Sequence, residues 1–406
     1  MTFTIALSGL NAATKDLNAT ANNIANVNTT GFKRSRAEFS SVFPISSYGV
    51  SSNATGIGTR LSRVAQQFEQ GSINYTQNAL DLAISGEGFF TVSDGGARAY
   101  TRAGAFGTDN NGYVVNASGQ RLQVFPPVSG ATGFDTSRLT DLRLSVSDNP
   151  PSATGGITAG VNLPANAQPP ANGTFDAEDP TSYNFTRSLT VYDSLGVAHS
   201  ANLYFVKGAG ANAWDVRVRV DDADVGGANA MTFSGSGQLL TPAGGALTLP
   251  DYDPANGASP MTLELDLGAA TQFGESFGVN DLTQDGYATG RLIGVEVTQE
   301  GIVQARYTNG QATPLGQLAL ATFPNPQGLQ QLGDSAWAET YAAGAAILGP
   351  AGSSNLGLVQ AGALEGSNVD LTEQLVNMIT AQRNFQANAQ MISTADQITQ
   401  TIINLR

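Results

Sequence analysis

The sequence predicts a multidomain protein with two terminal α-helices that pair as a coiled coil and two mainly antiparallel β domains, the second inserted into the first. Apolar residues recur at helical spacing near both ends and alternate with polar residues in between, as in strands. A length of 406 residues exceeds that of a usual single domain. The expected domains are a helical domain at 1–30 and 366–406, an extended connector at 31–70, a first β domain at 71–146 and 285–365, and an acidic β domain at 147–284.

The N-terminal helix is predicted from a heptad repeat on an Ala-rich segment. We expect it to end before Gly31, because residues 28–31 (NTTG) offer turn residues. The first apolar positions lie seven apart, and each is followed three residues later by a second position of the stripe. These positions are Phe3, Leu10, Leu17 and Ile24, followed by Ala6, Ala13, Thr20 and Val27.

The C-terminal helix is predicted to begin near Asp370 and Glu373, which are spaced as a capping pair, and to run to the last residue. Its apolar positions recur every three or four residues and then drift around the helix, as a straight helix requires. They are Leu371, Leu375, Met378, Phe385, Ala389 and Ile392, then Met391, Ala395, Ile398, Ile402 and Leu405.

Both stripes need a partner, because isolated helices of this length are marginal in water. They pack either on the core of their own chain or on each other and on neighbouring subunits. A stripe at each terminus favours the second interpretation and predicts that residues 1–30 and 366–406 stay largely disordered until copies associate. The predicted interface residues are Phe3, Leu10, Leu17, Ile24, Val27, Leu371, Leu375, Met378, Phe385, Ile392, Ile398 and Ile402.

Strict alternation in the middle of the chain predicts half-buried antiparallel strands. The two clearest runs place apolar residues at every second position: Trp214, Val216, Val218 and Val220, then Met261, Leu263, Leu265 and Leu267. Shorter strands are predicted at 188–192, 201–206, 293–298 and 302–307. The Pro- and Gly-rich stretch 148–173 is expected to lead into the acidic domain, with part of it free to pair as a strand, and 281–286 to lead back.

The charge is unevenly distributed along the chain. The net charge is −14, and residues 147–284 contain 15 acidic and 4 basic residues. Residues 1–64 contain 6 basic and 2 acidic residues. An acidic chain without a contiguous cationic face is not expected to bind nucleic acid. The acidic middle instead predicts a solvated domain that repels nonspecific partners.

The residues that catalysis and metal binding use are scarce. The chain has no Cys, which excludes disulfides and thiolate chemistry, and its single His, His199, is expected on the surface after a strand turn. No P-loop or nucleophile elbow occurs. The cluster Asp221, Asp222 and Asp224 lacks the Glu that a calcium loop needs, because Phe233 stands there, so we expect a solvated turn. No cofactor, metal or catalytic residue is predicted.

Targeting signals are also missing from the sequence. The first basic residue is Lys15, so no charged region precedes an apolar run as in a secretory signal peptide. No apolar stretch approaches the length of a membrane span, so membrane insertion is not expected. The basic residues Lys33, Arg34 and Arg36 could grip phosphate, but an acidic surface on an adjacent segment or subunit is the favoured partner.

Five segments together resemble the flagellar rod and hook axial protein family. Residues 18–33 (NATANNIANVNTTGFK) are similar to its N-terminal signature, and 79–90 (ALDLAISGEGFF) and 100–106 (YTRAGAF) to the blocks that follow. Residues 365–373 (EGSNVDLTE) and 381–388 (AQRNFQAN) resemble its C-terminal signature. The acidic insertion, with 189–196 (LTVYDSLG) and His199, resembles the outer domain of hook members.

This resemblance implies a hook subunit that self-assembles into a curved hollow tube and transmits motor torque to the filament as a universal joint. It implies an extracellular location after export by the flagellar type III apparatus without a cleaved signal. The implied partners are other copies of the chain, the distal rod, the hook cap during assembly and the hook–filament junction proteins.

Two alternatives remain at this point. One is a distal rod or hook-associated junction protein of the same family, which would form a short straight assembly. The other is an enzyme or glycan-binding β protein with similar ends, which would need a pocket with converging ionisable groups in the central domain.

Overall fold

The computed structural model describes residues 2–43, 56–128, 133–144 and 148–404, with the side chains of residues 2, 402 and 404 left out. The chain divides into two compact units. The first comprises Met1–Val146, Gly294–Arg306 and Ala312–Arg406, and the second comprises Ser147–Ile293 and Tyr307–Gln311. The side chain of Ile402, a predicted interface residue, is not among those described, and Leu405 lies outside the described residues.

The described elements are mostly short strands. The first part of the chain contains α1 (Thr2–Ala25), β1 (Ser35–Val42), β2 (Gly58–Gln66), β3 (Ile73–Tyr75), β4 (Leu82–Ser85), β5 (Phe89–Asp94), β6 (Ala97–Thr101), β7 (Gly107–Thr108), β8 (Val114–Val115), β9 (Arg121–Phe125) and β10 (Thr140–Asp141). The middle contains β11 (Gly156–Asn162), β12 (Phe185–Tyr192), β13 (Ala198–Lys207), β14 (Ala213–Val220), β15 (Ala223–Phe233), β16 (Leu239–Thr241), β17 (Ala246–Thr248), β18 (Glu264–Asp266) and β19 (Gly278–Gln284). The last part contains β20 (Leu292–Val297), β21 (Ile302–Tyr307), β22 (Ala312–Thr322), a 3₁₀ turn (Pro326–Gly328), β23 (Gln330–Gly333), β24 (Ala336–Ala338), β25 (Ile347–Pro350), β26 (Leu358–Ala361), β27 (Ala363–Glu365) and α2 (Leu371–Asn404).

Both terminal helices are present, with ends set by local chemistry. The Asp370 carboxylate accepts hydrogen bonds from the backbone N–H groups of Thr372 (2.8 Å) and Glu373 (3.1 Å), so the predicted start of α2 is confirmed. Helix α1 ends at Ala25, and a series of turns leads to Gly31, whose φ of 67° suits glycine. None of the helices in the described part of the chain combines the length and apolar character that a membrane span needs.

The segment predicted as an extended connector forms a two-stranded antiparallel pair. Strands β1 and β2 pair from Ser35 opposite Gln66 to Val42 opposite Gly58, with an irregularity between Glu38 and Phe39. Most residues of β1 and β2 are half-buried or exposed. The pair is nevertheless packed against α1, as the contacts of Ser8 and Asn23 described below show.

The β part of the first unit is built on one large sheet with the path β20-β21-β22-β9-β5-β6-β24-β23. Two further pairs, β26–β4 and β27–β3, bring the end of the β region beside its beginning. The antiparallel hairpin β5–β6 turns at Gly95 and Gly96, whose positive φ angles glycine adopts without strain. Its core includes the buried side chains Ile84 and Phe90.

The second unit contains two sheets whose apolar faces meet in one core. One has the order β12-β13-β14-β15-β16 and the other β17-β18-β11-β19. In β14, every second residue is buried, as the alternation of Trp214 and the following valines predicted. Largely antiparallel pairing is confirmed, with one correction: β18 pairs in parallel with β11, so the second alternating run is not purely antiparallel.

The segment expected to lead back from the acidic domain is also more regular than predicted. Residues up to Gln284 belong to β19, which pairs antiparallel with β11, itself within the predicted entry crossing. The entry and return of the chain instead lie side by side at Asn149 and Gly290, which form reciprocal backbone hydrogen bonds of 2.7 and 3.1 Å. The composition of this region indicated turns, but it could not show which residues pair.

The prediction of a surface histidine is wrong. His199 is 7% exposed and lies between two carboxylates, bonded through Nδ1 to Asp221 and placed 3.3 Å through Nε2 from Asp193. Asn256 donates a 2.6 Å hydrogen bond to Asp193, and the Tyr252 ring lies 6.2 Å from the imidazole, so the 251–258 loop covers the site. Asp221 is therefore part of an ion-pair network as well as of a two-residue turn in which both φ angles are positive.

The His199 network should make the stability of the second unit depend on pH. Burial opposes protonation of His199, but its bonds to Asp221 and Asp193 outweigh that effect and raise its pKa. This stabilisation is complete below the unfolded value of about 6.5 and is lost as the pH rises through the raised folded pKa. The pKa of Asp193 is lowered to about 2, so its contribution is lost only in strong acid.

We expect His199→Gln to destabilise the second unit at pH 5 by about 1–3 kcal/mol, the range for hydrogen bonds to charged groups. The difference from the native chain should shrink as the pH rises through the raised pKa of His199, so it should be smaller at pH 9 than at pH 5. Urea unfolding followed by the methyl NMR signals of Val216 and Val218 measures this unit within the full chain. A destabilisation of equal size at both pH values would show that the imidazolium charge contributes nothing.

Candidate assembly interface

Small side chains form the contact between the two terminal helices. Ala6, Ala13 and Ala381 are buried, and a Cβ atom at Gly9 would overlap the side chain of Asn388. Small residues let two helix backbones approach closely but bury little apolar area. The helices are therefore in contact through a narrow seam, which we call the small-residue seam.

Hydrogen bonds of Asn23 join the small-residue seam to the connector. Its amide donates to the Ser35 carbonyl (2.8 Å) and to the Gln374 side chain (3.1 Å), and its Oδ1 accepts from the Ser35 N–H (2.8 Å). At the other end of the connector pair, the Ser8 hydroxyl accepts from the Thr59 N–H at 3.2 Å. Because the buried Asn23 makes three hydrogen bonds to Ser35 and Gln374, α1, β1 and α2 are held together at one point.

The large apolar side chains predicted to form the interface are mostly not buried within the chain. Five are exposed and six are half-buried, so the described chain leaves much of their surface uncovered. The exposed ones are Phe3 (52%), Leu371 (45%), Leu375 (45%), Phe385 (38%) and Ile398 (55%). The half-buried ones are Leu10, Leu17, Ile24, Val27, Met378 and Ile392.

Further apolar residues on the helices are exposed although the heptad pattern did not select them. An uncovered apolar surface of this extent is typical of a protein–protein contact. These residues are Leu7, Val376, Ile379 and Ile403. Sequence reasoning missed them because it followed one stripe per helix, while the exposed surface wraps around more than one face. It also gave no role to Gly9 and Asn23, although the spacing of Ala6, Gly9 and Ala13 is a signal for close helix packing.

A buried charge cluster, consisting of Lys33, Arg102 and Glu365, anchors the helices to the β region. The Glu365 carboxylate lies 2.7 Å from Lys33 Nζ and 3.0 Å from Arg102 Nη1, and the Lys33 and Glu365 side chains are fully buried. Glu365 Oε1 also accepts from the Gly71 N–H at 2.9 Å, and its backbone carbonyl accepts from the Gly31 N–H at 2.8 Å.

Backbone carbonyls accept further hydrogen bonds from Lys33 and Arg102. Lys33 donates to the Glu69 carbonyl at 2.7 Å, and Arg102 donates to the carbonyls of Ile84 (3.3 Å) and Gly86 (2.6 Å). Burial lowers the pKa of Lys33 and of Arg102, and the Glu365 charge opposes that shift in both. Removing Glu365 would therefore leave two buried cations without their anion.

The observed ion pairs agree with the interpretation of Lys33, Arg34 and Arg36 as partners of acidic groups. Lys33 pairs with Glu365, Arg34 pairs with Glu69 (3.2 Å) and Glu373 (3.1 Å), and Arg36 pairs with Glu38 (3.0 Å). All of these acidic partners belong to the same chain. Among the described residues, no group of three or more acidic, His or Cys side chains is arranged to hold a metal ion.

Comparison with protein families assigns four segments of the chain. Residues 3–33 match the flagella basal body rod protein family, and 83–170 match the flagellar hook protein FlgE/F/G D1 domain. Residues 162–287 match the flagellar basal body protein FlaE D2 domain, and 360–405 match the flagellar basal body rod FlgEFG protein C-terminal family.

Full-length relatives decide among the members of these families. The flagellar hook proteins FlgE of Escherichia coli (strain K12) and Salmonella typhimurium are each 38% identical to this chain over 417 residues, covering 100% of both proteins. The FlgE of Rhizobium meliloti is 35% identical and covers 98% of this chain and 97% of that protein. The chain belongs to the flagellar hook protein family.

Membership makes this chain a structural subunit of the flagellar hook and not an enzyme. The hook is part of the flagellum, an extracellular appendage, and the family implies polymerisation of the subunit with copies of itself. A rod or junction protein is not favoured, because the full-length relatives are hook proteins. In fold, the chain is similar to the Helicobacter pylori flagellar hook protein FlgE2, with a TM-score of 0.54 and 13% identity over 72% of this chain and 100% of that one.

We expect Glu365→Gln to destabilise the first unit by about 3–5 kcal/mol, the usual cost of removing one partner of a buried ion pair. Glu373→Gln is a matched control, because Glu373 pairs with Arg34 at an exposed position and should change stability by less than about 1 kcal/mol. Denaturant unfolding followed by Trp337, the buried tryptophan of the first unit, measures both variants. Similar effects of the two substitutions would mean that the charge cluster does not anchor this unit.

Proposed function

We propose that this hook subunit self-assembles through its terminal helices into a curved hollow tube that transmits motor torque to the filament as a universal joint. The proposal is carried by one observation: the helices contact each other through small side chains while their large apolar side chains remain exposed. In the tube, the helices of each subunit pair as a coiled coil, and neighbouring copies cover the exposed residues.

Burial of exposed apolar side chains would supply the free energy of assembly. Covering a large aliphatic or aromatic side chain contributes about 1.5–3 kcal/mol when burial is complete. Phe3, Phe385 and Ile398 are each more than a third exposed in the single chain, so a neighbour that covers them supplies energy that the small-residue seam cannot. Assembly and full ordering of the helices are then coupled, and the helices of a free subunit are only weakly held.

The second unit has a different role in this proposal. It is an insertion within the first β domain and lies on the outside of the tube, where it adjusts curvature. Residues 147–284 carry 15 acidic and 4 basic residues, so close packing of many copies would cost repulsive energy that salt partly screens. Polar contacts between such surfaces exchange at small cost, which suits interfaces that slide as a curved joint rotates.

The family membership also supports partners beyond the chain itself. We infer that the subunit reaches the tip of the growing hook through the flagellar type III apparatus without a cleaved signal. It then meets the distal rod at one end of the tube, the hook cap during growth and the hook–filament junction proteins at the other end. The absence of Cys suits passage as an unfolded chain.

We expect Leu17→Asp or Phe385→Asp to abolish polymerisation while both units stay folded, because each change places a charge in an apolar contact between subunits. The matched control is Leu240→Asp, since Leu240 is 59% exposed but lies in the second unit. Electron microscopy of polymers, with circular dichroism of the unpolymerised chains, measures the outcome. Normal tubes from Leu17→Asp and Phe385→Asp would show that these residues do not face a neighbouring subunit.

We expect a chain lacking residues 150–289 to form tubes that are straighter or mechanically weaker than the native ones. Asn149 and Gly290 already pair through their backbones, so a short Gly/Ser link can join them with little strain. Electron microscopy of the secreted or reassembled variant tests the expectation. Loss of all tubes while the first unit stays folded would make the second unit an essential assembly contact.

A further inference from the structure

Asp16 on α1 is a partly buried carboxylate with no ion pair or side-chain hydrogen bond among the described residues. It lines a polar cavity of about 120 Å³ between α1, the connector and the start of α2. The two arginines of this cavity, Arg34 and Arg36, already pair with glutamates. Burial raises the pKa of Asp16, and no cation counteracts this shift. The ionised carboxylate is therefore not stabilised by a positive charge.

Arg383 presents the opposite situation on α2. It is the single basic residue of Leu371–Asn404, it is exposed, and no ion pair of the described residues includes it. Helical spacing places it on the same face as Val376 and Ile379, which are 58% and 50% exposed. If a neighbouring copy covers this apolar face, the guanidinium loses water and needs an anion in its place.

We propose that Arg383 of one subunit pairs with Asp16 of a neighbouring subunit. The inference rests on the proposed function, because it requires the terminal helices of adjacent copies to pack together. A guanidinium can contact both oxygens of a carboxylate, so the pair would fix the register of the two copies as well as neutralise both charges. The partner of this surface is therefore a second copy of the same chain.

Lys15, the other cation of the terminal helices, is a poorer partner for Asp16. It lines a different groove, together with Ser8, Thr59 and Arg60, between α1 and β2. The nearby Arg60 makes that groove cationic, whereas Arg383 shares its helix face with the exposed Val376 and Ile379. Charge and surroundings together single out Arg383.

Charge reversal tests the pair. Asp16→Arg and Arg383→Asp should each lower the yield of polymer by about tenfold or more, because each places two like charges together. The double variant D16R/R383D should recover most of the native yield. An equimolar mixture of the two single variants should also polymerise better than either alone, since each then supplies the charge that the other lacks. Circular dichroism of each unpolymerised chain establishes that the two units are folded.

Several outcomes would overturn the pair. Single variants that polymerise like the native chain, or a double variant no better than the single ones, would show that the charges do not meet. Rescue by the double variant without rescue by mixing would place the pair within one subunit. Rescue of Asp16→Arg by Lys15→Asp would assign the partner to Lys15. If Leu17→Asp blocks assembly while the charge reversals do not, only this inference fails; if Leu17→Asp also assembles, the proposed function fails.

Discussion

The buried contacts of Glu365 join parts of the chain that lie 332 positions apart in sequence, and the placement of both terminal helices depends on them. Lys33 follows α1 by eight residues, Arg102 directly follows the hairpin β5–β6, and Glu365 precedes α2 by six residues. Three of the segments that resemble the axial family, 18–33, 100–106 and 365–373, therefore meet at one carboxylate. Each of these three segments supplies one member of a buried charge cluster, and leaving that cluster incomplete would be costly.

Positioning the two helices and burying their large apolar side chains are separate in this chain. The small-residue seam and Asn23 set where α1 and α2 lie relative to each other and to the connector, but they bury little apolar surface. On the proposed function, the large side chains that stay exposed contact neighbouring copies. A free subunit then holds its helices only weakly, and contacts with neighbouring copies supply the remaining stabilisation. On the proposed function, force applied to the helices reaches the β sheets through Gly31–Lys33 and Glu365.

Local features of the fold were predictable from the sequence, and long-range ones were not. The start of α2 at Asp370 and the alternation in β14 follow from neighbouring residues, so both predictions are confirmed. The burial of His199 depends on Asn256 and Tyr252, which lie more than fifty positions away, and no local pattern could show it. The same limit explains the pairing of Lys33 with Glu365. The heptad stripe identified the helices but did not distinguish the residues that meet within the chain from those left exposed.

The central claim is that large apolar residues of the terminal helices contact neighbouring subunits. Hydroxyl-radical footprinting of the free subunit and of the assembled hook tests it most directly, because Phe385 and Met391 are reactive and are 38% and 50% exposed in the single chain. Phe273 of the second unit, 49% exposed, serves as an internal reference. We expect Phe385 and Met391 to lose most of their oxidation in the hook while Phe273 keeps its own. Unchanged oxidation of Phe385 and Met391 on assembly would contradict the central claim.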